Sequence, residues 1–155
     1  MQPSREISVG AVRVGGKQPL FLIAGPCVIE SEAHCARMAE RLAGLAAEQK
    51  IPLIFKASYD KANRSSLSSY RGPGLAEGLR ILRRIKERFH LAILTDVHDV
   101  SQVAAAAEVC EVLQIPAFLS QQTDLRLRNI DVERLPSVNA LGQSQYASEI
   151  GRAHV

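Results

Sequence analysis

Leu53-Ile54-Phe55-Lys56-Ala57-Ser58-Tyr59-Asp60-Lys61-Ala62-Asn63-Arg64-Ser65-Ser66 runs from an apolar strand directly into cations, hydroxyls and an amide. Lys56, Lys61 and Arg64 lie within nine residues, Arg71 follows closely, and Asp60 alone opposes them. Such a cluster suits a phosphate or a carboxylate. A charge run ordinarily makes a solvated loop. Here Lys56 follows directly on Leu53-Ile54-Phe55, so the cluster starts at a strand end, where sites concentrate in parallel α/β folds.

Upstream, Glu6 to Val9 and Ala11 to Val14 alternate in hydropathy around Gly10 and close at Gly15-Gly16, which reads as a short hairpin. Leu20-Phe21-Leu22-Ile23-Ala24, ended by Gly25-Pro26, is a continuous apolar run that predicts a strand buried on both faces. Ser31 and Glu32 suit a helix start, and Cys35, Met38, Leu42, Leu45 and Ala46 recur at helical spacing through Lys50. Downstream of Arg71-Gly72-Pro73-Gly74, the positions Leu75, Leu79, Leu82, Ile85 and Phe89 mark a second helix, with Arg80, Arg83, Lys86 and Glu87 on its other face. Leu91 to Thr95 predicts a strand, Val100 to Ala107 an alanine-rich helix, and Val112 to Ile115 a further strand before Pro116.

This βα alternation implies right-handed crossovers and a parallel sheet in an α/β fold. A doubly wound dinucleotide-binding sheet carries a glycine-rich fingerprint after its first strand, whereas this chain has Gly25-Pro26-Cys27 there. A (β/α)8 barrel fits better. In a barrel the strand ends converge on one mouth, which here would gather Cys27, Lys56 with Ser58, Asp96 with His98, and Gln114.

With 155 residues, 46% of them apolar, the chain suffices for one ordinary core. Its net charge of +3, from 19 basic and 16 acidic residues, argues against nucleic acid or a membrane surface as partner, as does the low aromatic content. Cys27, Cys35 and Cys110 make an odd count without paired spacing, which favours a reducing compartment and predicts a cytoplasmic protein. The N-terminus shows no export signal, and no apolar run is long enough to cross a bilayer.

Five segments resemble the 3-deoxy-D-manno-octulosonate 8-phosphate synthases, which belong with the DAHP synthases among the phosphoenolpyruvate-condensing barrels. They are Ile23 to Ser31, Phe55 to Ser66, Ser69 to Leu75, Leu94 to His98 and Gln114 to Leu119, in the family's order. The likeness covers roughly residues 5 to 125, and its most specific part is Lys61-Ala62-Asn63-Arg64-Ser65-Ser66, where DAHP synthases carry a different basic motif.

The resemblance implies the N-terminal half of a TIM-type (β/α)8 barrel, about four βα units after a β-hairpin. It also implies condensation of phosphoenolpyruvate with D-arabinose 5-phosphate, a step toward lipopolysaccharide. By that analogy Lys56, Ser58 and Lys61 contact phosphoenolpyruvate, and Asn63, Arg64 and Ser65 grip arabinose 5-phosphate. Lys56, Lys61 and Asp96 are the expected catalytic residues. Members with cysteine at the place of Cys27 depend on a divalent metal, so Cys27 is the expected metal ligand, with the remaining ligands on later strands absent from this chain. The parent family is homotetrameric, and Gln121 stands where an arginine should reach the neighbouring subunit.

Beyond Leu125 the resemblance stops. Glu149 to Val155 matches the translation of a widely used sequencing adapter, so residues 126–155 are expected to be a frameshifted or adapter-derived tail following a domain at 1–125. Four βα units leave two unpaired parallel edges, and the chain alone is expected to lack synthase activity. The competing readings are an inactive phosphate-binding fragment, and a DAHP-synthase-like or Schiff-base aldolase with Lys56 or Lys61 as nucleophile. The latter requires that borohydride trap a substrate adduct.

Overall fold

The computed structural model describes residues 6–61, 70–116 and 119. Strands β1 (Ile7–Val9) and β2 (Val12–Val14) form an antiparallel hairpin with Ile7 opposite Val14 and Val9 opposite Val12. Its turn is permitted by Gly10 at φ 56°, a left-handed conformation that costs glycine little. The remaining strands are β3 (Leu22–Ala24), β4 (Leu53–Lys56), β5 (Ala92–Asp96) and β6 (Val112–Gln114), parallel and in sequential order β3-β4-β5-β6. Helices α1 (Glu32–Gln49), α2 (Leu75–Phe89) and α3 (Val100–Ala107) make the crossovers. This is a partial TIM-type barrel led by a hairpin, as the βα alternation predicts.

Period-two alternation sorts each strand between two clusters. Phe55, Ala57, Ile93 and Leu113 join Cys35 and Ala39 of α1, Leu79, Leu82 and Ile85 of α2, and Val103 and Ala106 of α3 in one buried core. At about 1.5 to 3 kcal/mol for each large apolar side chain, this layer supplies most of the driving force. On the other face, Ile54, Ala92, Leu94 and Val112 pack against Val9, Val12 and Val14 of the hairpin. The hairpin therefore seals the inner face near the N-terminal ends of the strands. The same parity carries Lys56, Asp96 and Gln114 at the C-terminal ends, so the inner face is apolar at one end and polar at the other.

Helix ends follow local chemistry. Ser31 caps α1 by accepting from the backbone N–H of His34 at 3.1 Å, and Asp99 caps α3 by accepting from that of Ser101 at 2.8 Å. The α3 bounds coincide with those expected from sequence. Leu45, expected on the apolar stripe of α1, is instead 56% exposed, because Cys35, Ala39 and Ala46 form the buried line.

One expectation about burial is corrected. The Leu20 to Ala24 run does not form a strand buried on both faces: Leu20 is 89% exposed and Leu22 and Ile23 are each 40% exposed. β3 stands at the end of the strand order and pairs only with β4, so among the described residues nothing covers its other side.

Candidate active site

Three chain segments meet at the C-terminal ends of β3, β4 and β5. Gly25 is what lets the first two approach. A Cβ there would stand 1.9 Å from the Lys56 carbonyl oxygen, so only glycine fits. Just beyond, the Ile29 N–H donates to the Ser58 carbonyl at 3.0 Å, and the Tyr70 hydroxyl donates to the Ile29 carbonyl at 3.1 Å. The turn carrying Cys27 is thereby tied to the loop after β4.

That loop is in turn stitched to β5. The Ala57 N–H donates to the Leu94 carbonyl at 3.2 Å, and the Thr95 hydroxyl donates back to the Ala57 carbonyl at 2.9 Å. The Lys61 N–H donates to the Arg71 carbonyl at 2.7 Å, and the Gly74 N–H donates to the Tyr59 carbonyl at 3.0 Å. Gly72 takes φ 126° beside the Tyr59 carbonyl, and a Cβ on it would lie 2.3 Å from that oxygen.

Within this frame Asp96, 4% exposed, is the central charge. Its Oδ2 accepts from Lys61 Nζ at 3.4 Å and faces His98 Nε2 at 3.3 Å. A carboxylate only accepts, so of the two neutral imidazole tautomers the Nε2–H form is the one that suits this contact. Asp96 Oδ1, His98 Nδ1 and Ser58 Oγ are buried without a hydrogen-bond partner among the described residues. Native interiors rarely leave such groups idle, so these three atoms are candidates for contact with a ligand. The side chain of Lys56, half-buried, makes no ion pair with any described residue.

A second layer orients the first. The Tyr59 hydroxyl donates to Gln102 Oε1 at 2.7 Å, and the His98 N–H donates to the same oxygen at 2.8 Å. The Tyr59 ring meets the His98 imidazole edge to face, with centroids 6.3 Å apart. Burial, assisted by the charge of Asp96, pushes the Tyr59 phenol well above its ordinary range, so it remains a donor.

The structure thus brings Lys56, Ser58, Lys61 and Asp96 to one end of the sheet, with Cys27 in the adjoining turn. Asn63, Arg64 and Ser65 lie outside the described residues, as do Gln121 and the 126–155 tail. Arg71, read as part of the anion cluster, is instead engaged by Asp60 in a two-point fork, Nε to Oδ1 at 2.9 Å and Nη2 to Oδ2 at 2.8 Å. Cys27 is exposed, while Cys35 and Cys110 are buried packing residues. Cys27 offers one soft metal donor, but among the described residues no group of three histidine, cysteine or acidic side chains could hold an ion, so they do not make a metal site by themselves. Also among them, no helix is long and apolar enough to cross a membrane.

Sequence reading missed Tyr59 and Gln102. The only hint was the spacing Asp99-x-x-Gln102, that of a helix capping box.

A family model described as the DAHP synthetase I family matches residues 4–130. The chain is similar to the 2-dehydro-3-deoxyphosphooctonate aldolase of Pelobacter propionicus, 63% identical over 122 residues, which cover 79% of this chain and 45% of that protein. The protein of the same name from Koribacter versatilis is 63% identical over 114 residues, 74% of this chain and 41% of its own length. That of Geobacter sulfurreducens is 54% identical over 122 residues, 79% of this chain and 45% of its own. The chain spans about half the length of the curated relatives it matches.

Proposed function

The chain belongs to the DAHP synthetase I family, and from that premise we propose that its strand-end site serves the condensation of phosphoenolpyruvate with D-arabinose 5-phosphate. The products are 3-deoxy-D-manno-octulosonate 8-phosphate and inorganic phosphate. The name shared by the relatives, 2-dehydro-3-deoxyphosphooctonate aldolase, supports this substrate pair. The observation that carries the proposal is the convergence of Lys56, Ser58, Lys61 and Asp96 at the polar end of the inner sheet face, with three buried polar atoms awaiting partners.

In this reading Lys56 and Lys61 neutralise phosphoenolpyruvate, and the Ser58 hydroxyl donates to one of its anionic oxygens. Asn63, Arg64 and Ser65 hold arabinose 5-phosphate, Arg64 through paired donors to the phosphate. C3 of phosphoenolpyruvate attacks the sugar aldehyde, whose oxygen takes a proton. Water adds at C2, loses a proton, and phosphate departs. Holding C3 against the aldehyde is the main contribution, worth about 7 to 11 kcal/mol at the extreme. The unpaired Oδ1 of Asp96 and Nδ1 of His98 are the acceptors available for the proton the water releases. Cys27 would give a divalent metal one thiolate ligand. We place the protein in the cytoplasm, a reading supported by its three free thiols.

Isothermal calorimetry of the 155-residue chain with D-arabinose 5-phosphate, arabinose and inorganic phosphate tests the proposal. The sugar phosphate should bind more tightly than either part. Equal binding of inorganic phosphate and the sugar phosphate would favour a plain anion site, and no binding of the sugar phosphate would overturn the proposal.

A further inference from the structure

Gln102 sits in the first turn of α3, three residues after the cap Asp99, where a capping-box glutamine reaches back to the cap's own N–H. Here its carboxamide does something else. Oε1 accepts from the backbone N–H of His98, one residue before the cap, and also from the buried hydroxyl of Tyr59. Those donors belong to different βα loops. Tyr59 lies between Ser58 and Lys61 on the loop after β4, and His98 lies two residues beyond Asp96 on the loop after β5. One oxygen therefore joins the segment that delivers Lys61 to the segment that delivers Asp96 and His98. The Tyr59 ring, anchored at its hydroxyl, meets the imidazole edge to face.

We infer that Gln102 is a positioning residue of this site, holding Tyr59 against His98 so that Nε2 faces Asp96 and Nδ1 is left as the acceptor. The inference depends on the proposed condensation only for calling the site catalytic, since the geometry exists without substrate. Helix capping alone does not require Tyr59, and with a glutamine that only capped the helix the tautomer would be set by Asp96 alone and survive Gln102→Ala.

Long-range proton–nitrogen correlation spectra of the 15N-histidine-labelled chain, recorded where imidazole is neutral, read the tautomer. His98 is assigned by its loss in His98→Asn. Wild type should show the single Nε2–H form. Gln102→Ala should lose it to a mixture of tautomers, and Gln102→Glu, which keeps an acceptor oxygen, should restore it. A folded Gln102→Ala that retained the single Nε2–H form, or a wild type that already showed a mixture, would overturn the inference. Should Gln102→Ala fail to fold, Tyr59→Phe deletes one hydroxyl and is read by the same criterion. No substrate is present, so a negative result here is distinct from failure to bind arabinose 5-phosphate.

Discussion

Lys61 Nζ stands 3.4 Å from Asp96 Oδ2, and the two side chains are only 15% and 6% exposed. The cation supplied by the loop after β4 is thus held by the carboxylate at the end of β5. In the proposed site a phosphate or carboxylate would compete for that cation, leaving Asp96 with His98 beside it. Under the proposed function, anion binding would loosen Asp96 through this single ammonium group.

Removing one member of a buried pair strands the other's charge, which costs more than removing both. Lys61→Met should therefore destabilise the chain by about 3 kcal/mol, and adding Asp96→Asn should recover a large part of that loss. Urea unfolding of the two single variants and the double variant measures it. Additive losses would show that the pair is not coupled.

Gly25→Ala would drive a methyl group into the Lys56 carbonyl, a backbone atom that cannot turn aside. The expected loss is about 3 kcal/mol, with Lys56 displaced from the site. Gly44→Ala is the counterpart. It lies inside α1 with nothing within 4 Å of the added carbon, and should stabilise by about 0.5 to 1 kcal/mol through helix propensity. Denaturant midpoints of both variants test the contrast.

Burial pushes the Cys35 thiol from about 9 up to about 11, with the charge of Glu32 a smaller cause, and burial raises Cys110 still further. Between those two pH values the unfolded thiol has lost its proton while folded Cys35 keeps it, so stability falls as pH rises through that window and is unaffected by this group below it. Melting curves from pH 8 to 11 should show the decline, flattened in Cys35→Ala. Iodoacetamide at pH 8 should label exposed Cys27 in the native chain well before Cys35 or Cys110. Equal labelling of all three would show that the core is open.

The helices and the inner sequence of parallel strands were legible because their signals are local: periodicity in α2, the Ser31 cap, and glycine breakers between elements. The exposure of Leu22 and Ile23 was not, since an apolar run looks the same at the end of a strand order as in its middle. At the site, the strand-end position of Lys56 and the same-face placement of Asp96 and His98 followed from a two-residue period. The capture of Arg71 by Asp60 depends on a loop closing between residues 11 apart, and the double use of the Gln102 oxygen depends on two loops meeting. Neither leaves a trace in composition or spacing. Likewise, Gly25 reads as a strand breaker in sequence and only the fold reveals it as the contact point between two strand ends.

Calorimetric titration of phosphoenolpyruvate into the wild-type chain and into Lys56→Met addresses most directly the claim that the polar end of the inner sheet face is a substrate-anion site. A hydrogen bond from a charged donor contributes about 1.5 to 3 kcal/mol, so the variant should bind roughly 10 to 100 times more weakly than wild type while melting at the same temperature. Equal affinities in the two proteins, or no binding by wild type, would contradict the account.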